Sequence, residues 1–234
     1  MNLSSPPARL ARAAVNRVAG DEIRVVRVLS GVARGKRLAL DLSKEKAYWL
    51  GHYERPLQEF LRENVGSSDV FFDVGAHVGF LSVCAASLGA RVVSVEPDAA
   101  NAARLRRNAE LNGFDIAVVE AAAWVETGTV TLVPGGSAKE FHVVSGEGVP
   151  SISLDDLAER FGAPTVIKLD VEGAEARVLE GARHVLSDAR PIVVCELHGA
   201  EQRERVPALL ESYAVEELDS PDRIVGRPAR RAAA

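Results

Sequence analysis

From Asp69 onward the chain alternates short apolar runs with stretches of helical length, an order that few folds accommodate. The runs are VFFDVG (70–75), RVVSVEP (91–97), DIAVVEAAAW (115–124), TVIKLDVEG (165–173) and PIVVCEL (191–197). Between them the spacing predicts helices through LSVCAASLG (81–89), Asp98 to Asn112, Ser153 to Phe161 and Arg177 to Leu186. Strands that read as unbroken apolar runs are buried on both faces, and intervening helices supply the cover. The expected fold class is therefore α/β, a Rossmann-like, doubly wound, mostly parallel sheet.

Before Asp69 the pattern differs. IRVVRVL (23–29) and KRLALDL (36–42) flank SGVARG and read as a hairpin with a glycine-bearing loop. Ala47 to Asn64 has helical spacing, with Leu50, Leu57, Phe60 and Leu61 on one side. Residues 1–65 are thus expected to form a small N-terminal α/β cap of helix, hairpin and cap helix, and residues 66–226 the main domain. TVTLVP (129–134) looks hairpin-like, whereas 134–150, rich in Gly, Ser and Pro, breaks the alternation and is expected to be a loop or flap. The tail 227–234 is short and basic and expected to fray.

Composition excludes several classes. Hydrophobic residues make up 47% and charged residues 26%, with a net charge of −5, so the chain can bury a core. Mild acidity argues against a protein whose main work is neutralising phosphates, since such domains usually carry a basic face, so nucleic acid is not an expected partner. No apolar run reaches the roughly 18–20 residues of a membrane span. Cys84 and Cys195 sit in apolar runs without metal-binding spacing and read as small buried hydrophobes of a reducing cytoplasm. Residues 1–20 carry Arg9, Arg12 and Arg17 and no acid, a composition shared by organellar transit peptides and by a plain surface helix after Pro7; the plain helix is the simpler reading. The hairpin edge offers unpaired backbone through which a homodimer would form.

The most informative motif is Asp73-Val-Gly75-Ala76-His77-Val-Gly79, directly after a strand and opening a helix. Glycines there allow a sharp turn and close approach of a ligand to the following helix. The spacing departs from the dinucleotide fingerprint GxGxxG, and an acid at the strand end disfavours a pyrophosphate while suiting a cationic ligand. A second acid, Glu96, ends the next strand 23 residues later and can accept both hydroxyls of a ribose. Helix capping or solvation of both acids is the bland alternative.

These residues resemble the class I S-adenosylmethionine (SAM)-dependent methyltransferases, and within them the FkbM family. The resemblance covers WLGHYERPLQEFL (49–61), DVGAHVGFLS (73–82), VVSVEPDAANAARLRRNAELNG (92–113), SLDDL (153–157), IKLDVEGAEARVLEGA (167–182) and PIVVCELHG (191–199). His77 stands where that family more often has Asn. The resemblance implies that Asp73, Gly75, Ala76, His77 and Gly79 hold the methionine half of SAM, Glu96 and Pro97 the ribose, and the backbone around Ala121 and Ala122 the adenine. S-adenosylhomocysteine would be the product.

In an open α/β sheet, ligands gather beyond the carboxyl ends of the strands. That singles out Lys168, Asp170 and Glu172 after the fourth run, and Glu196 and His198 after the fifth, which period-2 alternation puts on a shared face. Methyl transfer is an in-line displacement whose main demand is alignment, and an alcohol acceptor must also lose a proton. His198 is the candidate base, with Asp170, Glu172 and Glu196 as further candidate catalytic residues. Asp170 can instead help place the cofactor, and Glu172 can cap the next helix. His52, His142 and His184 are weaker candidates. Asp170, Glu196 and His198 together offer oxygen and nitrogen ligands for Mg²⁺, but no Asp-rich cluster accompanies them, and a metal-free reaction is expected.

The resulting expectation is a cytoplasmic SAM-dependent methyltransferase acting on a hydroxyl of a small molecule, either a natural product or a sugar, with residues 1–65 and 134–150 over the acceptor pocket. Rivals are an N-methyltransferase or one acting on protein or lipid, a non-catalytic nucleotide-binding protein, and an NAD-dependent dehydrogenase.

Overall fold

The computed structural model describes residues 23–134, 141–145 and 148–229, with the backbone alone at 132–134 and 141–145. The proposed N-terminal helix and the last residues of the tail lie outside the described residues.

The centre is a seven-stranded sheet built from β3 (Val70–Val74), β4 (Arg91–Val95), β5 (Ile116–Val119), β10 (Val166–Leu169), β11 (Ile192–Glu196), β12 (Tyr213–Ser220) and β13 (Arg223–Pro228). Its order is β12-β13-β11-β10-β3-β4-β5. The five strands from β11 to β5 are parallel, and β13 and β12 add antiparallel. The chain winds outward through β4 and β5 and later returns to the opposite side of β3 with β10, so the switch point lies between the ends of β3 and β10.

Successive strand residues feed opposite faces. Phe71, Val92, Val166 and Val194 enter one core, and Phe72, Val93, Ile167 and Val193 the other. The second core is covered by α5 (Leu154–Phe161), α6 (Glu175–Glu180) and α7 (Ala200–Leu209) through Leu154, Leu157, Val178, Leu179 and Val206. The first is covered by α3 (Phe80–Ser87) and by the N-terminal elements β1 (Ile23–Arg27), β2 (Arg37–Asp41), α1 (Lys46–Leu50) and α2 (Arg55–Asn64). The helix α4 (Ala99–Glu110) ties the cap to the sheet: the Asn108 Oδ1 accepts from Ala39 N of β2, and its Nδ2 donates to Val78 O in the glycine turn. Both Cys84 and Cys195 are buried and free, and burial pushes their thiols up in pKa. Among the described residues, no helix is long and apolar enough to cross a membrane.

Four local expectations need correction. The cap helix predicted over 47–64 is two helices, because Gly51 takes the left-handed φ of 76° and ends α1; Leu50 is consequently exposed while Leu57, Phe60 and Leu61 are buried. The Gln58 side chain seals the break by donating to Gly51 O and Tyr53 O and accepting from Val32 N. The expected loop at 134–150 contains β8 (Phe141–Ser145) and the start of β9 (Val149–Ile152), which join β6 (Ala122–Ala123) and β7 (Gly128–Pro134) in a second sheet of order β6-β9-β7-β8. Cross-strand pairing outweighs the local turn composition there. The helix expected over 177–186 stops at Glu180 and is followed by a π-helical turn, Val185–Ala189. Finally, β13 runs through the boundary drawn at 226, since Gly226 pairs with Val193 of β11.

Candidate functional site

The glycine turn lies at the switch point. Gly75 has φ 75°, and a Cβ there would sit 1.7 Å from Asp170 O, so only glycine lets the turn pass against the end of β10. Gly75 N and Ala76 N both donate to Val95 O, at 3.0 and 3.1 Å. His77 follows with φ 51°, and Gly79, φ 80°, leads into α3. The cap contributes an aromatic wall: Tyr48 of α1 stacks on Phe80 at 5.1 Å, meets Tyr53 edge-on at 4.4 Å, and places its hydroxyl 3.3 Å from His77 Nδ1.

Glu96 closes one side of the turn. Its Oε2 accepts from His77 N at 2.7 Å and its Oε1 from Asp98 N at 3.1 Å, with Asn101 Nδ2 at 3.5 Å. It is only 6% exposed, and burial raises its pKa despite these donors. Pro97 follows, and Asp98 caps α4 by accepting from Asn101 N. Ala121 and Ala122 are buried, and Ala121 packs into the core.

Behind the turn, Lys168 Nζ stands 3.3 Å from Asp73 Oδ1 and 3.5 Å from Asp170 Oδ2, and donates to Gly75 O at 2.7 Å. Burial alone would lower its pKa, but the two carboxylates outweigh that and hold the ammonium above the usual lysine range. The Asp73 carboxylate is fully buried and also accepts from Ser82 Oγ, which in turn accepts from Ser94 Oγ. It therefore acts on the site through Lys168 and the turn, while Asp170, a quarter exposed, presents its carboxylate outward.

The opposite wall gathers around His198. The imidazole Nδ1 is 2.8 Å from Glu175 Oε1, and Nε2 is 3.4 Å from Glu172 Oε2 and 3.8 Å from Asp170 Oδ1. The hydrogen bond to Glu175 pushes the His198 pKa up to about 9, burial opposes it, and the charges of Glu175, Asp170 and Glu172 add to it. Glu175 is fully buried, its Oε1 also accepts from Gly173 N, and Gln202 fixes the segment by donating to Gly173 O and accepting from Ala176 N.

The structure separates Glu196 from His198. β11 ends at Glu196, so strand alternation stops before His198. Glu196 Oε2 accepts from Arg223 Nη2 at 2.9 Å, and Arg223 also pairs with Glu54 and Asp219. Glu196 lines a small crevice with Lys168, Asp170 and Arg223, and Glu172 takes its place beside Asp170 and His198. Glu172 does not cap the next helix: the N-cap of α6 is Ala174, without a side-chain bond, and Glu175 supplies the acceptor to Gly173 N. His52 and His184 are exposed, and the side chain of His142 lies outside the described residues. Glu175, Tyr48 and Arg223 escaped the sequence reading. Glu175 had one signal, an acid in the first turn of a helix that follows a strand end.

Comparison with known proteins agrees with this layout. A family model described as the methyltransferase FkbM domain matches residues 73–220, from the acid of the glycine turn to the end of β12. The hexuronic acid methyltransferase AglP of Haloferax volcanii is 29% identical over 185 residues, covering 74% of this chain and 77% of that protein. Among solved structures, methyltransferase FkbM from Methylobacillus flagellatus KT superposes with a TM-score of 0.52 at 22% identity, covering 81% of this chain. This chain spans 55% of that one. The yhhF protein of Escherichia coli gives a TM-score of 0.52 at 17% identity, covering 88% of this chain and all of its own. Both structural likenesses concern the fold.

Proposed function

The chain belongs to the FkbM methyltransferase family and has the class I methyltransferase fold, and from that premise we propose that it transfers a methyl group from SAM to a hydroxyl of a small molecule, with sugars as the favoured acceptor class. One observation carries the reading. Asp73, Glu96, Asp170, Glu172 and Glu175 surround the switch point, against the two cations Lys168 and His198. That excess of negative charge suits a cationic nucleoside and repels a diphosphate.

The residues fit such a ligand. Glu96 has two oxygens held by backbone N–H groups and available to a vicinal diol, and the turn at Gly75 leaves no side chain in the way. Pro97 and the backbone at Ala121 and Ala122 flank the nucleoside, and His77, Ala76 and Gly79 shape the turn beneath it. SAM supplies a methyl group already activated on a sulfonium.

On the acceptor side, Glu175 holds the His198 ring by Nδ1 and leaves Nε2 toward the site, the arrangement that orients a general base. A cationic ligand nearby lowers the imidazole's proton affinity and frees Nε2 to take the acceptor's proton. In this reading Asp170 positions both partners, and Glu196, paired with Arg223, stiffens the crevice. The sugar class is supported by the name of the Haloferax volcanii relative, an acceptor other than nucleic acid by the net charge of −5, and a cytoplasmic setting by the two free thiols.

Calorimetry with S-adenosylhomocysteine, followed by transfer of radiolabelled methyl from SAM to a panel of hexuronic acids and neutral sugars, tests the reading. Micromolar binding and a labelled sugar are expected; tight binding of NAD with none of S-adenosylhomocysteine would end it.

A further inference from the structure

The cluster where β10 and β11 end contains more ligand chemistry than a single base requires. Asp170, Glu172 and His198 each offer one ligand atom, and the three atoms lie within 4.8 Å of one another. Each is only partly buried, with side-chain exposures of 25%, 44% and 27%, so the set is open to solutes. A second observation lies behind it. Glu175 is fully buried, its Oε1 sits on His198 Nδ1, and its Oε2 has no hydrogen-bond partner. A buried carboxylate with an unsatisfied oxygen is costly unless positive charge compensates it. A carboxylate on the far nitrogen of an imidazole is also the arrangement that orients a metal-ligating histidine and strengthens it as a donor.

We propose that Asp170, Glu172 and His198 form a divalent cation site, with Glu175 as the positioning residue behind the histidine. Two carboxylate oxygens and one imidazole nitrogen suit Mn²⁺ best and Mg²⁺ next, and they leave coordination positions for water and an acceptor hydroxyl. With the cation bound, His198 Nε2 would serve as a ligand in place of a general base, and the cation would hold the acceptor oxygen and acidify its hydroxyl, whose proton leaves to solvent. This use of the site rests on the methyl-transfer reading; the existence of the site does not.

The test uses the full chain without cofactor. Titration with MnCl₂, followed by loss of the free-ion electron paramagnetic resonance signal, is expected to give one Mn²⁺ per chain. Glu172→Gln changes a partly exposed side chain and is expected to weaken binding about tenfold or more, and Glu175→Gln about 10- to 100-fold, as for other groups that orient a ligand. Circular dichroism establishes that each variant is folded, and Glu172→Gln decides the matter if Glu175→Gln does not fold. Wild-type protein that leaves the free Mn²⁺ signal unchanged at millimolar concentration overturns the site, as does undiminished binding by Glu172→Gln. S-adenosylhomocysteine affinity is measured in parallel: binding of that compound without Mn²⁺ sinks this inference alone, and Mn²⁺ binding without it sinks the methyl-transfer reading alone.

Discussion

Lys168 Nζ lies 3.3 Å from Asp73 Oδ1, and the two residues stand in register across the parallel strands that flank the switch point. The first acid of the glycine motif thus has a buried counter-ion of its own. Its charge is spent inside the protein, and the carboxylate of this seam that stays accessible to solvent is that of Asp170.

Removing the ammonium strands Asp73. Lys168→Met is expected to destabilise the fold by about 3–5 kcal/mol, the range for breaking a buried pair from one side. The double variant Lys168→Met with Asp73→Asn should recover part of that loss in urea denaturation. A double variant no more stable than the single one would show that the two side chains are not coupled.

Glu96 gives the pH dependence. Burial raises its folded-state pKa, so the folded chain binds this proton more tightly than the unfolded one. The group therefore costs stability above its folded pKa, and acidification relieves the cost. Ribose recognition runs the other way, because a protonated carboxyl cannot accept two hydroxyls. S-adenosylhomocysteine affinity should fall as the pH drops from neutral, beginning earlier than for an ordinary glutamate. Glu96→Gln should bind about 10- to 100-fold more weakly, the worth of hydrogen bonds to a charged group, with a flat pH profile.

At Gly75, an added methyl group meets Asp170 O at 1.7 Å on a backbone with φ 75°. Gly75→Ala is expected to cost upwards of about 1–3 kcal/mol, the strain of a disfavoured backbone region alone, and to abolish cofactor binding. Thermal melting with and without S-adenosylhomocysteine reads both effects; an unchanged ligand-induced shift would disprove the close approach.

His198 and Glu196 should separate cleanly in kinetics. His198→Gln is expected to slow single-turnover methyl transfer by about 10²–10⁴-fold, the usual worth of a positioned base, while leaving cofactor affinity unchanged. Glu196→Gln, acting through Arg223, should lower the melting temperature and leave the transfer rate within about tenfold. Equal rate losses in the two variants would restore Glu196 to the reaction.

Local pattern determined the parallel strands of this protein, because burial on both faces forces nearly every strand residue to be apolar and leaves Asp73, Glu96 and Asp170 conspicuous at or just beyond the ends. It missed β12, whose residues 214–217 are all exposed at the sheet margin and show no alternation of burial, and β8, which depends on a partner strand for its identity. The break at Gly51 was equally hidden, since it needs Gln58 to hold both sides. Tertiary structure alone decided which charges meet: Lys168 with Asp73 across 95 residues of chain, Glu175 with His198, and Arg223 with Glu196. Ion pairing depends on a few ångströms between atoms far apart in sequence, and no local periodicity encodes that separation.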